Sequence, residues 1–155
     1  STPEDARIAA RACRYPPAGN RSFGKVRSYY SPEGETIEPL CFVMIETAEA
    51  MENLEAIAAT EGVDGLYIGP VDLALSLGLG PALQMPDRIF EEIAKIVDAC
   101  QRHGRISGCA ALGNDNARQL AAMGVQLLTV GSDSGFVRAG AAGIVELAGQ
   151  IRAAS

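Results

Sequence analysis

The chain has 155 residues, 48% of them hydrophobic and 21% charged, with a formal net charge of −6. This is an ordinary globular composition, and its acidic balance argues against general nucleic-acid binding, which needs a basic surface to neutralise phosphates. No apolar run approaches the ~20 residues of a membrane span, and the first residues do not read as a secretory signal. Tryptophan is absent, so the core is expected to be aliphatic and rich in alanine. The four cysteines, Cys13, Cys41, Cys100 and Cys109, show no CxxC spacing and no nearby histidine to complete a zinc cluster. They read as free thiols of a reducing compartment, which gives the cytoplasm as the expected location.

In chain order, Thr2-Pro3-Glu4-Asp5 starts a helix: Thr2 can cap, Pro3 suits the first position, and two acids favour the positive end of the dipole. That helix is expected to reach about Ala12, with no strand before it. Arg14 to Gly24 reads as loop and carries Arg14, Tyr15 and Arg21; Ser28 to Glu38 continues it. The apolar run Leu40 to Ile45 predicts a strand ending on Glu46, and Thr47 can cap a helix over Ala48 to Thr60 that Gly62 stops. A second strand, Leu66 to Ile68, breaks at Gly69-Pro70 and leads into a short helix from about Val71 to Leu77. Gly78 to Met85 is loop. The helix Pro86 to His103 follows, with Ile89, Ile93, Ile96 or Val97, and Cys100 on one stripe, Glu91, Glu92, Lys95 and Asp98 mostly opposite, and Gly104 as its stop. The strand Ile106 to Cys109, a helix Asp115 to Met123 capped by Asn114, the strand Gln126 to Val130 and a helix Ser134 to Ala154 complete the order. One helix followed by four βα units predicts a parallel sheet, with each short apolar strand buried on both faces. Four strands are half of a (β/α)8 barrel, whose full length is typically about 250 residues.

In parallel α/β architecture the working residues sit beyond the carboxyl ends of the strands. Glu46 and Asp72 follow two successive strands and would face one mouth. Two oxygen ligands with open positions for water suit Mg²⁺ or Mn²⁺, although each acid could instead serve a helix start, Asp72 as an N-cap. Gly69-Pro70-Val71-Asp72 could also receive an anion, because glycine admits a close approach and the amides of Val71 and Asp72 lie at a helix start. His103, the sole histidine, is expected at a helix C-terminus on the opposite rim, in a structural role. Asp133 lies on the correct rim and is expected to cap the last helix.

The segments IETAEAMENLEAIA and EGVDGLYIGPVDLALSLG closely resemble the metal-dependent 2-oxo-acid aldolases of the HpcH/HpaI aldolase/citrate lyase family. RYPPAGNRSFG is similar to that family's RYPP-G-R-x-x-G segment, and ISGCAALGNDNARQLAAMGVQLLTVGSD to its last two βα units. The resemblance implies a TIM barrel that cleaves 4-hydroxy-2-oxo acids into pyruvate and an aldehyde. It implies that Glu46 and Asp72 hold the divalent metal, while backbone amides within Gly69, Pro70, Val71 and Asp72 hold the pyruvate carboxylate. Met44 stands where family members often have Gln. The family's catalytic His and pyruvate-binding Arg lie on earlier strands, so no catalytic residue is assigned here. Residues 1–155 are expected to be one domain, the C-terminal four βα units of a partial barrel preceded by a helix. Exposed sheet edges and inner strand faces predict a homo-oligomer. The alternatives are a citrate-lyase-like enzyme acting on a coenzyme A thioester, with Arg14 and Arg21 as the basic candidates, and a non-catalytic module binding metal and a 2-oxo acid.

Overall fold

A computed structural model describes residues 1–24, 38–81 and 85–154. Most of the loop expected over 28–38, and residues 82–84 of the loop before Met85, lie outside them. The elements run α1 (Pro3–Cys13), β1 (Phe42–Ile45), α2 (Ala48–Glu52), α3 (Leu54–Ala58), β2 (Gly65–Ile68), α4 (Pro70–Ser76) and α5 (Asp87–His103). Then come β3 (Ile106–Ala111), α6 (Asn114–Ala122), β4 (Leu127–Val130) and α7 (Asp133–Ala154). The strands form one parallel sheet in the order β1-β2-β3-β4, the α/β architecture expected.

Local chemistry accounts for the boundaries. Thr2 and Asp5 form a capping box on α1, with Pro3 in the first turn. Gly104 ends α5 in the left-handed region, at φ 62°. The single helix expected over Ala48 to Thr60 is instead α2 and α3. Asn53, at φ −96° and ψ 7°, interrupts it, and its side-chain amide donates to the Glu49 carbonyl at 3.0 Å; a short polar side chain competes here with the helix. Asn114 does not cap α6. Gly113, at φ 119°, occupies the cap position and turns the chain out of β3 early enough for Asn114 to be helical.

One face of the sheet is covered. Ile45, Leu66, Ile68 and Cys109 are fully buried with Ile89, Ile93 and Ile96 of α5 and Leu120 of α6. Burying each such aliphatic side chain contributes about 1.5–3 kcal/mol. The opposite face is open among the described residues: Met44 is 46% and Leu127 41% exposed. The expectation of strands buried on both faces therefore holds for one face only among the described residues, because α5 and α6 pack on the face that carries Leu66, Ile68 and Cys109. Glu92, expected on the solvent side of α5, is 3% exposed. It lies three residues after Ile89 and four before Ile96, which brings it onto the packed face. Arg88, at 2.8 Å, and Lys95, at 2.9 Å, compensate its charge.

At the amino-terminal rim, Asp64 joins three elements. Its Oδ2 accepts from the Cys41 amide at 2.6 Å and from Arg14 Nη2 at 2.9 Å, while Arg14 Nη1 donates to the Pro39 carbonyl at 2.6 Å. The Asp64 amide donates to the Cys41 carbonyl at 2.8 Å, and its own carbonyl accepts from Ile106. Burial alone would raise its carboxyl pKa. The Cys41 amide and the Arg14 guanidinium outweigh burial and hold it below the usual carboxylate range.

A carboxyl whose pKa is depressed by folding stabilises the fold above its unfolded value and loses that contribution as pH falls through the lowered one. Asp64→Asn is therefore expected to cost about 1–3 kcal/mol at neutral pH. The difference from the unsubstituted chain should shrink below roughly pH 4. Urea unfolding of both proteins across this range checks it, and a pH-independent difference would contradict the assignment.

Candidate functional site

Ile45 ends β1, and the Gly69 amide continues the ladder by donating to the Ile45 carbonyl at 3.3 Å. Glu46 and Gly69 consequently stand side by side, one residue beyond the two strands. A Cβ at position 69 would lie 2.8 Å from Glu46 Oε2 and 3.0 Å from Glu46 Cβ. Gly69 has φ −95°, which any residue can adopt, so glycine is needed here for space. The Glu46 carboxylate rests in the hollow where a side chain would be.

Pro70 opens α4, with Gly69 at its cap position and no side-chain cap. Asp72 is thus not an N-cap: it sits in the first turn and is exposed. The first intrahelical bond runs from the Leu73 amide to the Gly69 carbonyl at 2.9 Å, so the amides of Val71 and Asp72 precede the helical ladder. Ser76 Oγ accepts from the Ala48 amide at 2.9 Å and Thr47 Oγ1 from the Ala50 amide at 3.0 Å, which ties α4 to the start of α2 just after Glu46. The two predicted acids therefore follow neighbouring parallel strands at one rim. Among the described residues no group of three or more His, Cys, Asp or Glu side chains gathers for a metal. The donor set available is two carboxylates, an all-oxygen set that suits a hard cation completed by water or substrate.

Beneath Glu46 the open face follows a large-over-glycine pattern. Phe42 is opposite Gly65 in register, and its ring fills the Cβ position of that glycine. Tyr67 lies over Gly108, where a Cβ would meet the ring at 2.8 Å, and its hydroxyl hydrogen-bonds Thr129 Oγ1 on β4. Sequence reasoning did not single out Tyr67. The signal was the alternation Gly65-x-Tyr67-x-Gly69, which puts one aromatic and two glycines on the same strand face.

The remaining candidates lie elsewhere or serve locally. His103 ends α5 on the opposite rim, as expected, with Nε2 2.9 Å from Glu55 Oε2. Glu55 also bonds Arg102, and Arg102 first, then His103, holds its carboxyl below the usual range. Arg14, a candidate for recognising a large acyl substrate, is engaged with Asp64 at the amino-terminal rim. Arg21 stacks on Tyr15, 4.7 Å from the ring centroid. Neither residue stands beside Glu46. Asp133 bonds the adjacent Ser134 amide at 2.6 Å, whereas the Ser132 hydroxyl accepts from the Gly135 amide at 3.2 Å, so Ser132 takes the capping role expected of Asp133.

A family model described as HpcH/HpaI aldolase/citrate lyase matches residues 1–139. A 5-keto-4-deoxy-D-glucarate aldolase of Escherichia coli K12 is 40% identical over 147 residues, covering 88% of this chain and 56% of that protein. An HpcH/HpaI aldolase/citrate lyase family protein of Burkholderia cenocepacia superposes with a TM-score of 0.77 at 32% identity, over 94% of this chain and 61% of its own. An HpcH/HpaI aldolase of Desulfitobacterium hafniense gives 0.77 at 26% identity, over 94% and 60%. The chain thus spans little more than half the length of the curated relatives it matches.

The Tyr67–Thr129 contact is testable without any ligand. In a double-mutant cycle, Tyr67→Phe and Thr129→Val should show a coupling of about 1 kcal/mol in unfolding free energy. Strict additivity would mean that the hydroxyls do not support one another.

Proposed function

The chain belongs to the HpcH/HpaI aldolase/citrate lyase family, and from that premise we propose that it is part of a divalent-metal-dependent carbon–carbon lyase. In this reading the reaction cleaves 4-hydroxy-2-oxo acids into pyruvate and an aldehyde, and residues 1–155 form one domain of the enzyme. The observation that carries the reading is the Glu46 carboxylate seated in the hollow at Gly69, at the rim where α4 begins with Asp72 in its first turn. The E. coli relative named as an aldolase of a keto-deoxy sugar acid supports the same substrate class, a 2-oxo acid.

Each residue then has a chemical task. Glu46 and Asp72 supply the ligand oxygens for Mg²⁺ or Mn²⁺. Gly69 keeps the space that lets the Glu46 carboxylate approach the end of β2, and Pro70 sets the turn into α4. The amides of Val71 and Asp72 receive the substrate carboxylate as helix-start donors. When bound, a divalent ion supplies Lewis-acid polarisation of the 2-oxo group and stabilises negative charge as the C–C bond breaks. Cleavage also requires a base for the 4-hydroxyl proton, typically worth 10²–10⁴-fold. His103 has no part in this, being bonded to Glu55 on the other rim. The role proposed for residues 1–155 is therefore binding and polarisation of the 2-oxo acid.

We also propose a homo-oligomer. The 22 residues of α7 include none that are buried, and its stripe of Phe136, Ile144, Leu147 and Ile151 is 50–67% exposed. A solvent-facing apolar surface of this extent marks an interaction face. The chain carries a complement to it in β4, where Val130 is exposed on the sheet face that α5 and α6 cover. In a second copy, α7 of one chain would cover β4 of the other, an exchange by which copies pair at little cost.

Mn²⁺ binding, followed by water-proton relaxation, is expected to weaken strongly in Glu46→Gln and Asp72→Asn. In Gly69→Ala, which removes no ligand but displaces the Glu46 carboxylate, it should weaken about 10–100-fold. Pyruvate or oxalate should bind only with the metal present. Unchanged affinity in both carboxylate variants overturns the metal assignment.

For the assembly, light scattering should report more than one copy per particle, and Ile144→Glu with Ile151→Glu should shift the mass to the monomer. A monodisperse unsubstituted monomer that unfolds cooperatively and binds no hydrophobic dye would refute it.

A further inference from the structure

The Glu46 carboxylate is placed by shape. Among the described residues no hydrogen bond or ion pair is drawn to it, and Gly69 offers it room without a side chain. The group that shares this hollow is Met44. A Cβ at position 69 would lie 3.2 Å from Met44 Cε, beside the 2.8 Å approach to Glu46 Oε2. Methyl and carboxylate, two residues apart on β1, therefore close on one point.

The direction of the Met44 side chain adds to this. Met44 pairs in register with Tyr67, two residues before Gly69. Its methyl nevertheless reaches the level of Gly69, so the side chain leans along β1 toward the carboxyl rim. Tyr67 leans across the sheet instead, with its ring over Gly108 and its hydroxyl on Thr129. The neighbouring ring is thus held over β3, and the hollow is left to Met44. Met44 remains 46% exposed and stands outside the main apolar cluster, so core packing does not dictate this posture.

A carboxylate that ligates a metal works best when held in one orientation, which hydrogen bonds from neighbouring groups usually provide. Without them, a glutamate gives up rotamer freedom on binding. We propose, resting on the reading of Glu46 as a metal ligand, that Met44 is a positioning residue for that ligand. Its methyl fills the lower part of the hollow at Gly69, so the Glu46 carboxylate cannot turn down along the strand. The carboxylate is thereby kept at the rim, where α4 begins with Asp72 in its first turn. The thioether acts here as an unbranched side chain that fits an irregular gap, and its sulfur is not a ligand.

Mn²⁺ titrations of the full chain, followed by water-proton relaxation, test this. Met44→Ala withdraws the methyl and should weaken binding about 10-fold. Met44→Val is also short and suits a strand; it should do the same, and it keeps the test decisive if Met44→Ala does not fold. Met44→Gln, whose side chain reaches as far, should retain most of the affinity. Leu127→Ala removes a similarly exposed apolar side chain from β4, three strands from β1, and should change nothing. Cd²⁺, which a sulfur ligand would favour, should lose affinity in Met44→Ala by the same factor as Mn²⁺. Glu46→Gln, titrated alongside, separates the two claims. Binding lost in Glu46→Gln but unchanged in both Met44 truncations overturns the positioning role alone. Unchanged binding in Glu46→Gln removes the metal reading and this role with it. A loss confined to Cd²⁺ would make the sulfur a ligand, and an equal loss in Leu127→Ala or Met44→Gln would make the effect a general loosening. Either result overturns the proposal.

Discussion

The register of β1 against β2 governs everything at the carboxyl rim. Phe42 pairs with Gly65 and Ile45 with Ile68, and the ladder extends by one further bond, from the Gly69 amide to the Ile45 carbonyl. Since strand side chains alternate with period two, this register decides that Phe42, Met44 and Glu46 share a face with Gly65, Tyr67 and Gly69. A slip of one residue would turn Glu46 toward the helices and Ile45 toward the open face. The apolar cost of exposing Ile45, Leu66 and Ile68, all fully buried, prevents that slip. Hydrophobic burial on one face thereby positions a carboxylate on the other.

The two rims use their charges differently. At the amino-terminal rim, acids and bases are joined: Arg14 with Asp64, and Arg102 and His103 with Glu55. These contacts hold elements in place, and they account for the basic residues that a sequence reader would most readily assign to substrate. At the carboxyl rim, Glu46 and Asp72 follow adjacent strands, and the nearest structural demand on Glu46 is the space left by Gly69. An acid whose surroundings give it room, with no guanidinium joined to it among the described residues, is suited to an external cation. That contrast supports the proposed metal role more than the mere presence of two carboxylates.

The sheet is finished on one side only. α5 and α6 cover β2 and β3, while the inner face and α7 remain open among the described residues. A chain that spans 56% of the E. coli relative and exposes such surfaces has its energetics tied to whatever covers them. An isolated apolar stripe such as that of α7 is not expected to persist in water uncovered.

The sequence by itself was sufficient for the elements with strong local causes. The capping box at Thr2 and Asp5, the α5 stripe, the glycine stop at Gly104 and the strand-closing acids Glu46 and Asp72 all follow from spacing and backbone preference. So did the placing of His103 on the far rim, because a helix preceding a strand must end there. Tertiary structure alone decided the rest. Glu92 became buried because its face of α5 is the one that packs on the sheet, and Arg14 was drawn to Asp64 across 50 residues. Tyr67 reached Thr129 only because Gly108, on the strand between them, has no side chain. Period and propensity act over a few residues, whereas these contacts depend on which strands become neighbours. Only packing of the whole sheet determines that.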